Sequence, residues 1–531
     1  MKPKRRAVWI QVLMAAALLL RAPASAAEES TADHGRYEAL KGPFDGIEDI
    51  TRACIECHNQ APAQLHATLH WTWSRDDPAS GKKVGKRHVL NNFYGGVGTN
   101  LAGCTTCHIG FGWVDDTFDF ANAEAVDCMV CHDTTGRYVF ERFHQDGAPC
   151  GVCHDERLRK TDIETEPLDL AEAARKVGAT SRVTSRATCG ACHFGCGGSD
   201  GAKHGDLDSS LVTAPKALDV HMSPQGEDLS CAKCHRSGSH RVAGSRYDLT
   251  VEDPKGIDPI NGNRGTCQSC HGTLPHDDRQ IDRHTNRIAC QTCHIPAMAR
   301  GGKPTKTRWD WSTAGKRDRR GRATVKKDDL DRVVYATQKG SYEWGENLVP
   351  EYIWFNGDVV FARPGDGVGP DNPVPINRYA GGPDDPGSRI YTVKIMRSLT
   401  PLDEGDGALV PPHLYGRDRD AYWTSYKWDR ALEAGTAALD LAFSGTPGFV
   451  ETEMVWPLAH MVAPADRALA CVDCHAPQGR LAKIDGVYIP GRNRNPMLDM
   501  VGLAPLGLAL AGALLHGLLR LGFILFMRRP T

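Results

Sequence analysis

The chain has 531 residues, of which 63 are lysine or arginine and 65 are aspartate or glutamate, so its formal net charge at pH 7 is −2. Proteins that bind nucleic acids carry a basic excess on the contacting domain, and this near balance provides none. The sequence therefore predicts no nucleic-acid partner, and any steering of a charged substrate has to come from local clusters of charge.

The beginning of the chain has the three parts of a secretory signal peptide. A basic stretch is followed by an apolar run, and small residues around Ala24 and Ala26 form a cleavage pattern. Arg5 and Arg6 resemble a twin-arginine signal, but the residues that flank them do not fit one. We therefore predict that residues 1–26 direct export by the general secretory route and that the protein is periplasmic.

Nine Cys-x-x-Cys-His motifs occur in the chain, eight of them between residues 27 and 300. Their cysteines are Cys54 and Cys57, Cys104 and Cys107, Cys128 and Cys131, Cys150 and Cys153, Cys189 and Cys192, Cys231 and Cys234, Cys267 and Cys270, Cys290 and Cys293, and Cys471 and Cys474. The histidines that complete the motifs are His58, His108, His132, His154, His193, His235, His271, His294 and His475. Two thiols at this spacing reach the two vinyl groups of one porphyrin, and the histidine supplies an axial imidazole to its iron.

Zinc sites and disulfides are the other structures that paired cysteines form, and neither requires a histidine after every pair. The recurring histidine therefore predicts nine covalently attached haems c. Residues 27–300 provide only about 35 residues per motif, which is too little chain to build an ordinary side-chain core. We predict a multihaem cytochrome c, made mainly of short helices and loops that pack around stacked haems.

The composition changes between residues 301 and 470, where no motif occurs. The stretches Tyr352–Phe355, Val359–Phe361 and Ile390–Ile395 carry β-branched and aromatic residues between glycine, proline and aspartate turns. This pattern predicts short strands or hairpins as a minor β component. The segment Trp423–Phe443 has helical spacing and predicts a helix that docks the last haem onto the rest of the protein.

Residues 497–531 follow the haem-poor region, which spans 301–496, and predict a transmembrane anchor with a short cytoplasmic tail. Val501–Met527 is almost wholly apolar and is followed by two arginines, as expected for a helix that ends on the cytoplasmic side of the inner membrane. The helix contains His516 and Arg520, which are ionisable residues at membrane depth. We interpret Arg520 as reaching the interface and His516 as buried or packed on a partner, with a ligand or quinol contact of His516 as the alternative.

Eleven histidines outside the motifs are candidates for the second axial position of an iron. They are His66, His70, His88, His144, His204, His221, His240, His276, His284, His413 and His460. An iron with two histidines is saturated and suits electron transfer, whereas a reductase has to keep one axial position open for its substrate. Eleven candidates are enough to saturate every haem, so the count leaves both an electron relay and a catalytic site open. His34 lies near the mature N-terminus and is not counted among them.

Several stretches go beyond haem attachment. They are His66-x3-His70-Trp71-Thr72-Trp73, the Asn91–Tyr94 element before Cys104, the glycine-rich run Cys189–Asp208, Trp309-Asp310-Trp311, Pro350–Gly357, Glu451–Met454 and His460–Val462. Together they resemble the octahaem tetrathionate reductase family of multihaem c-type cytochromes, which is related to cytochrome c nitrite reductase and hydroxylamine oxidoreductase. The resemblance spans most of the exported chain.

The resemblance implies that one haem carries the chemistry and that a lysine nitrogen holds its iron. The matching lysine is Lys203, and the matching haem is the one on Cys104, with His108 displaced from the iron. A lysine amine binds a metal only when deprotonated, so burial and the metal have to override its ordinary pKa of about 10.4. Asp200 matches an acidic residue near the open face of that haem, where it would relay protons; a turn-capping aspartate is the alternative.

The chain departs from the family at two places. The family has a cysteine where this chain has Tyr94, and a phenol donates a proton or a hydrogen bond but does not exchange with a polythionate sulfur as a thiol does. The unpaired Cys196 either returns a thiol to the site or is an inert buried thiol. The motif at Cys150 lies in an insertion and predicts an additional electron-transfer haem, with His144 as a candidate ligand.

These observations predict a membrane-anchored periplasmic reductase. Electrons would come from a membrane quinol dehydrogenase or a cytochrome b-type donor and pass through bis-histidine haems to the Lys203-ligated haem, which would reduce tetrathionate, nitrite or hydroxylamine. A non-catalytic electron-transfer conduit between a quinol dehydrogenase and a periplasmic partner is the alternative, and a hydroxylamine-oxidising enzyme is the third interpretation. The oligomeric state stays open.

Overall fold

The computed structural model describes residues 33–77, 80–134, 138, 168–177, 184–195, 199–247, 265–493 and 495–527. Several predicted features lie outside these described residues. They are the signal peptide, the fourth motif with Cys150, Cys153 and His154, the candidate ligand His144, the unpaired Cys196, and the tail at 528–531.

The helices of the described residues are short, apart from the last one. In chain order they are α1 (Ile47–Cys57), α2 (Ala61–His66), α3 (Leu69–Thr72), α4 (Leu101–Cys104), α5 (Met129–His132), α6 (Leu170–Lys176), α7 (Arg186–His193), α8 (Cys231–Cys234), α9 (Gln268–His271), α10 (Arg279–His284), α11 (Cys290–His294), α12 (Tyr422–Ser425), α13 (Trp428–Ala437), α14 (Cys471–Cys474) and α15 (Pro496–Met527). Single 3₁₀ turns cover His34–Arg36, Glu38–Leu40, Thr105–Cys107, Ala123–Ala125, Ser209–Thr213, Trp311–Thr313 and Ala465–Arg467. The described motifs lie on or beside these short helices, where positions i, i+3 and i+4 share one face. Both cysteines and the histidine of a motif are therefore presented together.

Most strands belong to the haem-poor region. They are β1 (Arg75–Asp76), β2 (Lys83–Val84), β3 (Ser237–Gly238), β4 (Arg241–Val242), β5 (Thr305–Asp310), β6 (Val325–Lys327), β7 (Val333–Ala336), β8 (Gly340–Gly345), β9 (Glu351–Phe355), β10 (Val359–Phe361), β11 (Val374–Pro375), β12 (Asn377–Tyr379), β13 (Arg389–Asp403) and β14 (Pro447–Pro457). Strands β9, β10 and β13 coincide with the three stretches whose composition predicted them.

The largest sheet has eight strands in the order β11-β14-β13-β5-β8-β7-β6, with β9 also paired to β13. Strand β13 pairs with β14 in an antiparallel ladder from Val393↔Pro457 to Asp403↔Pro447. Strand β5 joins β13 in parallel, β8, β7 and β6 extend the sheet beyond β5, and β11 lies beyond β14. Strand β13 is buried along most of its 15 residues, as expected of a central strand covered on both faces. The β component is therefore one continuous sheet, which is more than the predicted short hairpins.

The sheet region has a large aromatic side-chain core. Its buried cluster includes Trp309, Trp311, Tyr342, Tyr422 and Trp456. Aromatic side chains each bury a large apolar area, so a few of them are enough to stabilise a sheet of short strands. The haem-poor region can thus fold as an ordinary packed layer, against which the motif-rich segments lie.

The single helix predicted for Trp423–Phe443 is wrong in detail. The segment forms α12 and α13, separated at Tyr426, whose φ of 56° lies in the left-handed region and ends α12. Helix α13 ends at Ala437 and packs on β13 and β14. The last motif is held elsewhere, because Cys474 packs with Ile390 and Leu481.

Helix α15 is long and apolar. Within the part of the chain that the structure describes, one helix, Pro496–Phe526, has the length and hydropathy needed to cross a membrane, and none of its most apolar window is buried against the rest of the protein. Its large apolar side chains are exposed, which fits the predicted membrane anchor.

Candidate active site

In the described parts of the chain, seven motif histidines each face a histidine from elsewhere. The pairs, with the distance between ring centroids, are His34–His58 (6.1 Å), His70–His193 (6.3 Å), His132–His240 (6.2 Å), His221–His271 (5.9 Å), His235–His460 (6.2 Å), His276–His294 (6.2 Å) and His284–His475 (6.1 Å). Two imidazoles that bind one iron from opposite sides, each through a bond of about 2 Å, place their centroids about 6 Å apart. The pairs therefore have the separation that a bis-histidine haem requires.

His34 is a candidate ligand that the sequence analysis left out. Its ring lies across from His58, and its Nδ1 bonds the carbonyl oxygen of Val177 at 2.6 Å. The only signal in the sequence was its position shortly before the first motif, on a stretch that could equally have been a free terminus.

Hydrogen bonds at Nδ1 orient half of these fourteen rings. The acceptors are Val177 O for His34, Ala243 O for His235, Gln64 Oε1 for His240, Gln280 O for His284, Pro490 O for His475, Asp282 Oδ1 for His276 and Asp206 Oδ2 for His460. A ring that donates from Nδ1 keeps the lone pair of Nε2 for a metal. Two of the seven acceptors are carboxylates, and they make the corresponding imidazoles more electron-rich than the neutral acceptors do.

The charge state of the paired histidines also suits iron. Burial lowers the pKa of His70, His132, His235 and His240, and it lowers the pKa of His193 to about 3. These imidazoles are therefore neutral at pH 7, which is the form that binds a metal.

The pKa of His460 shifts in the opposite direction. Burial alone would lower its pKa, but the Asp206 carboxylate at 3.2 Å outweighs burial and raises it.

No disulfide joins the motif cysteines that the structure describes. All sixteen cysteines of the described motifs are unbridged. Thiols of different motifs meet in three places, namely Cys54 with Cys128, Cys189 with Cys231, and Cys267 with Cys290. Each contact brings two attachment sites side by side, as a stacked haem arrangement needs. The residues present thus fit haem c.

His108 differs from the other described motif histidines. It is fully buried, and its Nε2 donates a hydrogen bond to the carbonyl oxygen of Trp71 at 2.7 Å. Its ring is enclosed by aromatic side chains, with Trp71 at 4.9 Å and Trp113 at 4.7 Å between centroids. The backbone at His108 is extended where it leaves the 3₁₀ turn of the motif. The nitrogen that would otherwise bind iron is therefore engaged in a protein contact.

The structure gives four other candidate histidines different contacts. His66 stacks on Trp71 at 4.5 Å, and His88 bonds the hydroxyl of Ser74 at 2.7 Å. His204 lies edge-on to Trp456, as described below. His413 is a correction to the predicted ligands, because one of its nitrogens bonds Thr99 O and the other bonds Asp418, which leaves neither for an iron.

Lys203 lies in a cluster of aromatic and cationic side chains. Its Nζ is 5.3 Å from the centroid of the Trp456 ring, and the His204 ring meets the same tryptophan at 5.0 Å. The guanidinium of Arg246 lies 4.1 Å from that ring, and its Nη2 is buried without a hydrogen-bond partner in the described residues. A buried donor of this kind is available to an anionic ligand.

Lys394 is a second lysine at this site. It is fully buried, and its Nζ donates to Ala202 O at 3.0 Å, Lys203 O at 2.8 Å and Thr305 Oγ1 at 2.5 Å. Burial lowers its pKa to about 7, against the opposing effect of Asp206.

Burial and the nearby cationic side chains together lower the pKa of His204. Burial lowers it most, and Lys203, Arg246 and Lys394 lower it further, so that it falls well below its ordinary value. The sequence analysis missed Arg246, Lys394 and Trp456, because none of them belongs to a recognisable motif.

Asp200 lies beside the cluster, on the loop that leads to Lys203. Its carboxylate accepts hydrogen bonds from the backbone N–H and the hydroxyl of Ser209, and it lies 3.6 Å from Lys303 Nζ. These contacts are those of a capping residue. The neighbouring Asp208 is buried, and burial raises its pKa to about 6.

Tyr94 lies in the aromatic core of the sheet region. Its ring is 5.2 Å from Trp309, 6.2 Å from Trp311 and 6.1 Å from Trp423. The preceding Phe93 approaches Trp456, the ring that Lys203 faces. The Asn91–Tyr94 element thus reaches the cluster around Lys203 through Phe93.

An octahaem cytochrome c from Shewanella oneidensis, known from its crystal structure, is similar to this chain with 32% sequence identity and a TM-score of 0.70. The match covers 85% of this chain and 95% of the other. The chain belongs to the octahaem cytochrome c family.

The family assignment confirms the predicted resemblance and the predicted fold class. A family model described as bacterial cytochrome c matches residues 306–478, which hold most of the sheet and the last motif. A search of curated proteins gave no match. As a multihaem c-type cytochrome, the chain carries covalently bound haem c and belongs to a family of oxidoreductase type.

Proposed function

We propose that this cytochrome is a reductase in which Lys203 supplies the protein ligand of one catalytic haem, the one attached to Cys104 and Cys107. The observation that carries the proposal is the hydrogen bond from His108 Nε2 to Trp71 O, which engages the usual motif ligand. When bound, haem c supplies single electrons and a coordination site on its iron. Lys203 would hold that iron, and the iron would pass electrons to the substrate.

The charges around Lys203 favour an anionic substrate. Arg246 presents a buried donor, and Lys394, with a pKa of about 7, adds a second, partly protonated nitrogen close to the Lys203 main chain. In a buried site, such groups stabilise negative charge more strongly than they would in water. Nitrite and tetrathionate are anions, whereas hydroxylamine is neutral at pH 7, so the cluster supports the two anions over hydroxylamine.

The residue at position 94 favours nitrite over tetrathionate as the substrate. Tyr94 has no thiol to exchange with a polythionate sulfur, and its ring lies among tryptophans. Nitrite binds through an atom of its own and needs no thiol. We therefore rank nitrite first and tetrathionate second. Proton delivery from the Asp200 and Asp208 loop would complete the site, since reduction of either anion consumes protons.

The seven histidine pairs would serve as the electron path, with one haem between the rings of each pair. A ninth haem would be attached at Cys150. The anchor Pro496–Phe526 would hold the domain at the periplasmic face of the inner membrane, close to a quinol-oxidising donor. The last motif, at Cys471, is the motif nearest in the chain to that helix and would receive the electrons first.

The test is the oxidation of reduced viologen by the purified holoprotein, with nitrite, tetrathionate and hydroxylamine offered in turn. Lys203→Ala should lower turnover by about 100-fold or more, because it removes an iron ligand. Lys216→Ala, at an exposed lysine, is the matched control and should keep wild-type turnover. Arg246→Leu should raise KM for nitrite more than KM for hydroxylamine. An absence of turnover with all three substrates would instead support the electron-transfer conduit.

A further inference from the structure

The main chain that carries Lys203 is held at four successive carbonyl groups, three of them by residues of the sheet. Ala202 O accepts from Lys394 Nζ and from the backbone N–H of Lys306, and Lys203 O accepts from Lys394 Nζ. His204 O accepts from Thr305 Oγ1. The fourth, Gly205 O, accepts from the backbone N–H of Ala299. A segment with all these acceptors satisfied has little freedom to rotate.

Lys394 makes two of these bonds from the centre of the sheet. It lies on β13 directly opposite Trp456 on β14, and side chains at directly paired positions lie on the same face. The two side chains therefore act together: Lys394 binds the main chain at Lys203, and the Trp456 ring faces the Lys203 amine.

The chemistry of Lys394 suits this task. An ammonium has three protons, and the Lys394 Nζ has three oxygen acceptors at 2.5 to 3.0 Å. Two of the acceptors are carbonyls of the Lys203 segment, and the third, Thr305 Oγ1, itself donates to His204 O. The hydrogen bonds of Lys394 and Thr305 therefore end on the carbonyls of Ala202, Lys203 and His204.

We infer that Lys394 is a positioning residue, which fixes the main chain at Lys203 and thereby the direction in which the Lys203 amine points. This inference rests on the proposed role of Lys203. It also gives the haem-poor sheet a function: the sheet is the rigid support of the catalytic lysine. The general requirement is that a functional side chain be held by neighbours whose own conformations are locked.

Two measurements on the full holoprotein test it. The first is hydrogen–deuterium exchange of peptides that cover residues 199–211. Lys394→Met should make exchange in these peptides about tenfold faster, since it removes the Lys394 donor from Lys203 O and one donor from Ala202 O, and should leave the peptides of β6–β8 unchanged. The second is EPR spectroscopy. We expect an EPR signal that disappears in Lys203→Ala, and Lys394→Met should broaden or shift that signal.

Lys306→Met is the matched control. This lysine is also buried, but its Nζ lies 4.1 Å from the ring centroids of Trp309 and Tyr342, and the substitution keeps the backbone N–H that donates to Ala202 O. It should change neither measurement at residues 199–211. If Lys394→Met does not yield folded protein, Thr305→Val removes one acceptor of the same network and should give a smaller increase of exchange in the same peptides.

The outcomes separate the two proposals. Unchanged exchange and an unchanged EPR signal in Lys394→Met, or equal effects in Lys306→Met, would overturn the positioning role. Faster exchange at residues 199–211 in a protein without any Lys203-dependent EPR signal would keep the positioning role and overturn lysine ligation.

Discussion

The carboxylate of Asp206 gives one axial histidine a measurable redox signature. Asp206 is 2% exposed, and its Oδ2 accepts hydrogen bonds from Ala459 N at 2.6 Å, from His460 N at 2.9 Å and from His460 Nδ1 at 3.2 Å. His460 faces His235, the histidine of the motif at Cys231. A buried negative charge on an axial imidazole stabilises the oxidised state of an iron, because that state carries one more positive charge.

Asp206→Asn removes the charge and keeps an oxygen acceptor of the same shape. A hydrogen bond to a charged group is worth about 1.5–3 kcal/mol and a neutral one about 0.5–1.5 kcal/mol, so the substitution changes the interaction by about 1 kcal/mol. For a one-electron couple, 1.4 kcal/mol corresponds to about 60 mV. We expect the midpoint potential of the haem at Cys231 to rise by about 40 mV, while the other potentials stay in place.

The assay is a potentiometric titration followed by optical and EPR spectra. Asp282→Asn is the matched control, because Asp282 bonds His276, which faces His294 of a different motif. It should raise the potential of the haem at Cys290 by a similar amount. A downward shift in Asp206→Asn, or a shift of the same haem in both variants, would refute the assignment of His460 and His276 to these two haems.

Three further predictions concern other parts of the molecule. The pKa of Asp208 is raised to about 6 from 3.8, so the contribution of this residue to stability is present below pH 4 and is lost as the pH rises through 6. The free energy of unfolding changes by about 3 kcal/mol over this range. Asp208→Asn should remove this pH dependence from thermal unfolding and stabilise the protein at pH 7. Replacing Cys150 and Cys153 by Ser should lower the intact mass by one haem relative to the wild type, and unchanged haem content would show that this motif is not used. Ending the chain at Asn495 should release the protein from membranes into the soluble fraction, as judged by fractionation; continued pelleting with membranes would contradict the anchoring role of α15.

The haem-attachment sites were predictable because their signal is local. Each motif places two thiols and an imidazole within five residues, and the short helix that follows from this spacing presents all three together. Strands β9, β10 and β13 were predictable for a similar reason, since β-branched and aromatic residues between turn residues favour strands whatever surrounds them. The break at Tyr426 was not, because the left-handed conformation there depends on tertiary packing and not on a glycine or proline in the sequence.

The pairing of the histidines could not be predicted from spacing. His58 and His34 are close in the chain, whereas His235 pairs with His460 across most of the sheet region. Every free histidine is chemically equivalent as a ligand, so only the fold distinguishes His460, held by Asp206, from His413, whose two nitrogens are already bonded. The number of histidines limits how many haems can have two histidine ligands, but it does not show which histidines are the ligands.

The surroundings of Lys203 show most clearly what a single sequence hides. Lys394 and Trp456 are 62 positions apart in the chain and belong to no motif, yet the β13–β14 register sets them side by side. A shift of β14 by one residue against β13 would turn Trp456 to the other face of the sheet while Lys394 keeps its place. Lys203 would then lose the ring that its amine faces. The catalytic proposal therefore depends as much on a strand register in the haem-poor region as on the glycine-rich element that first indicated it.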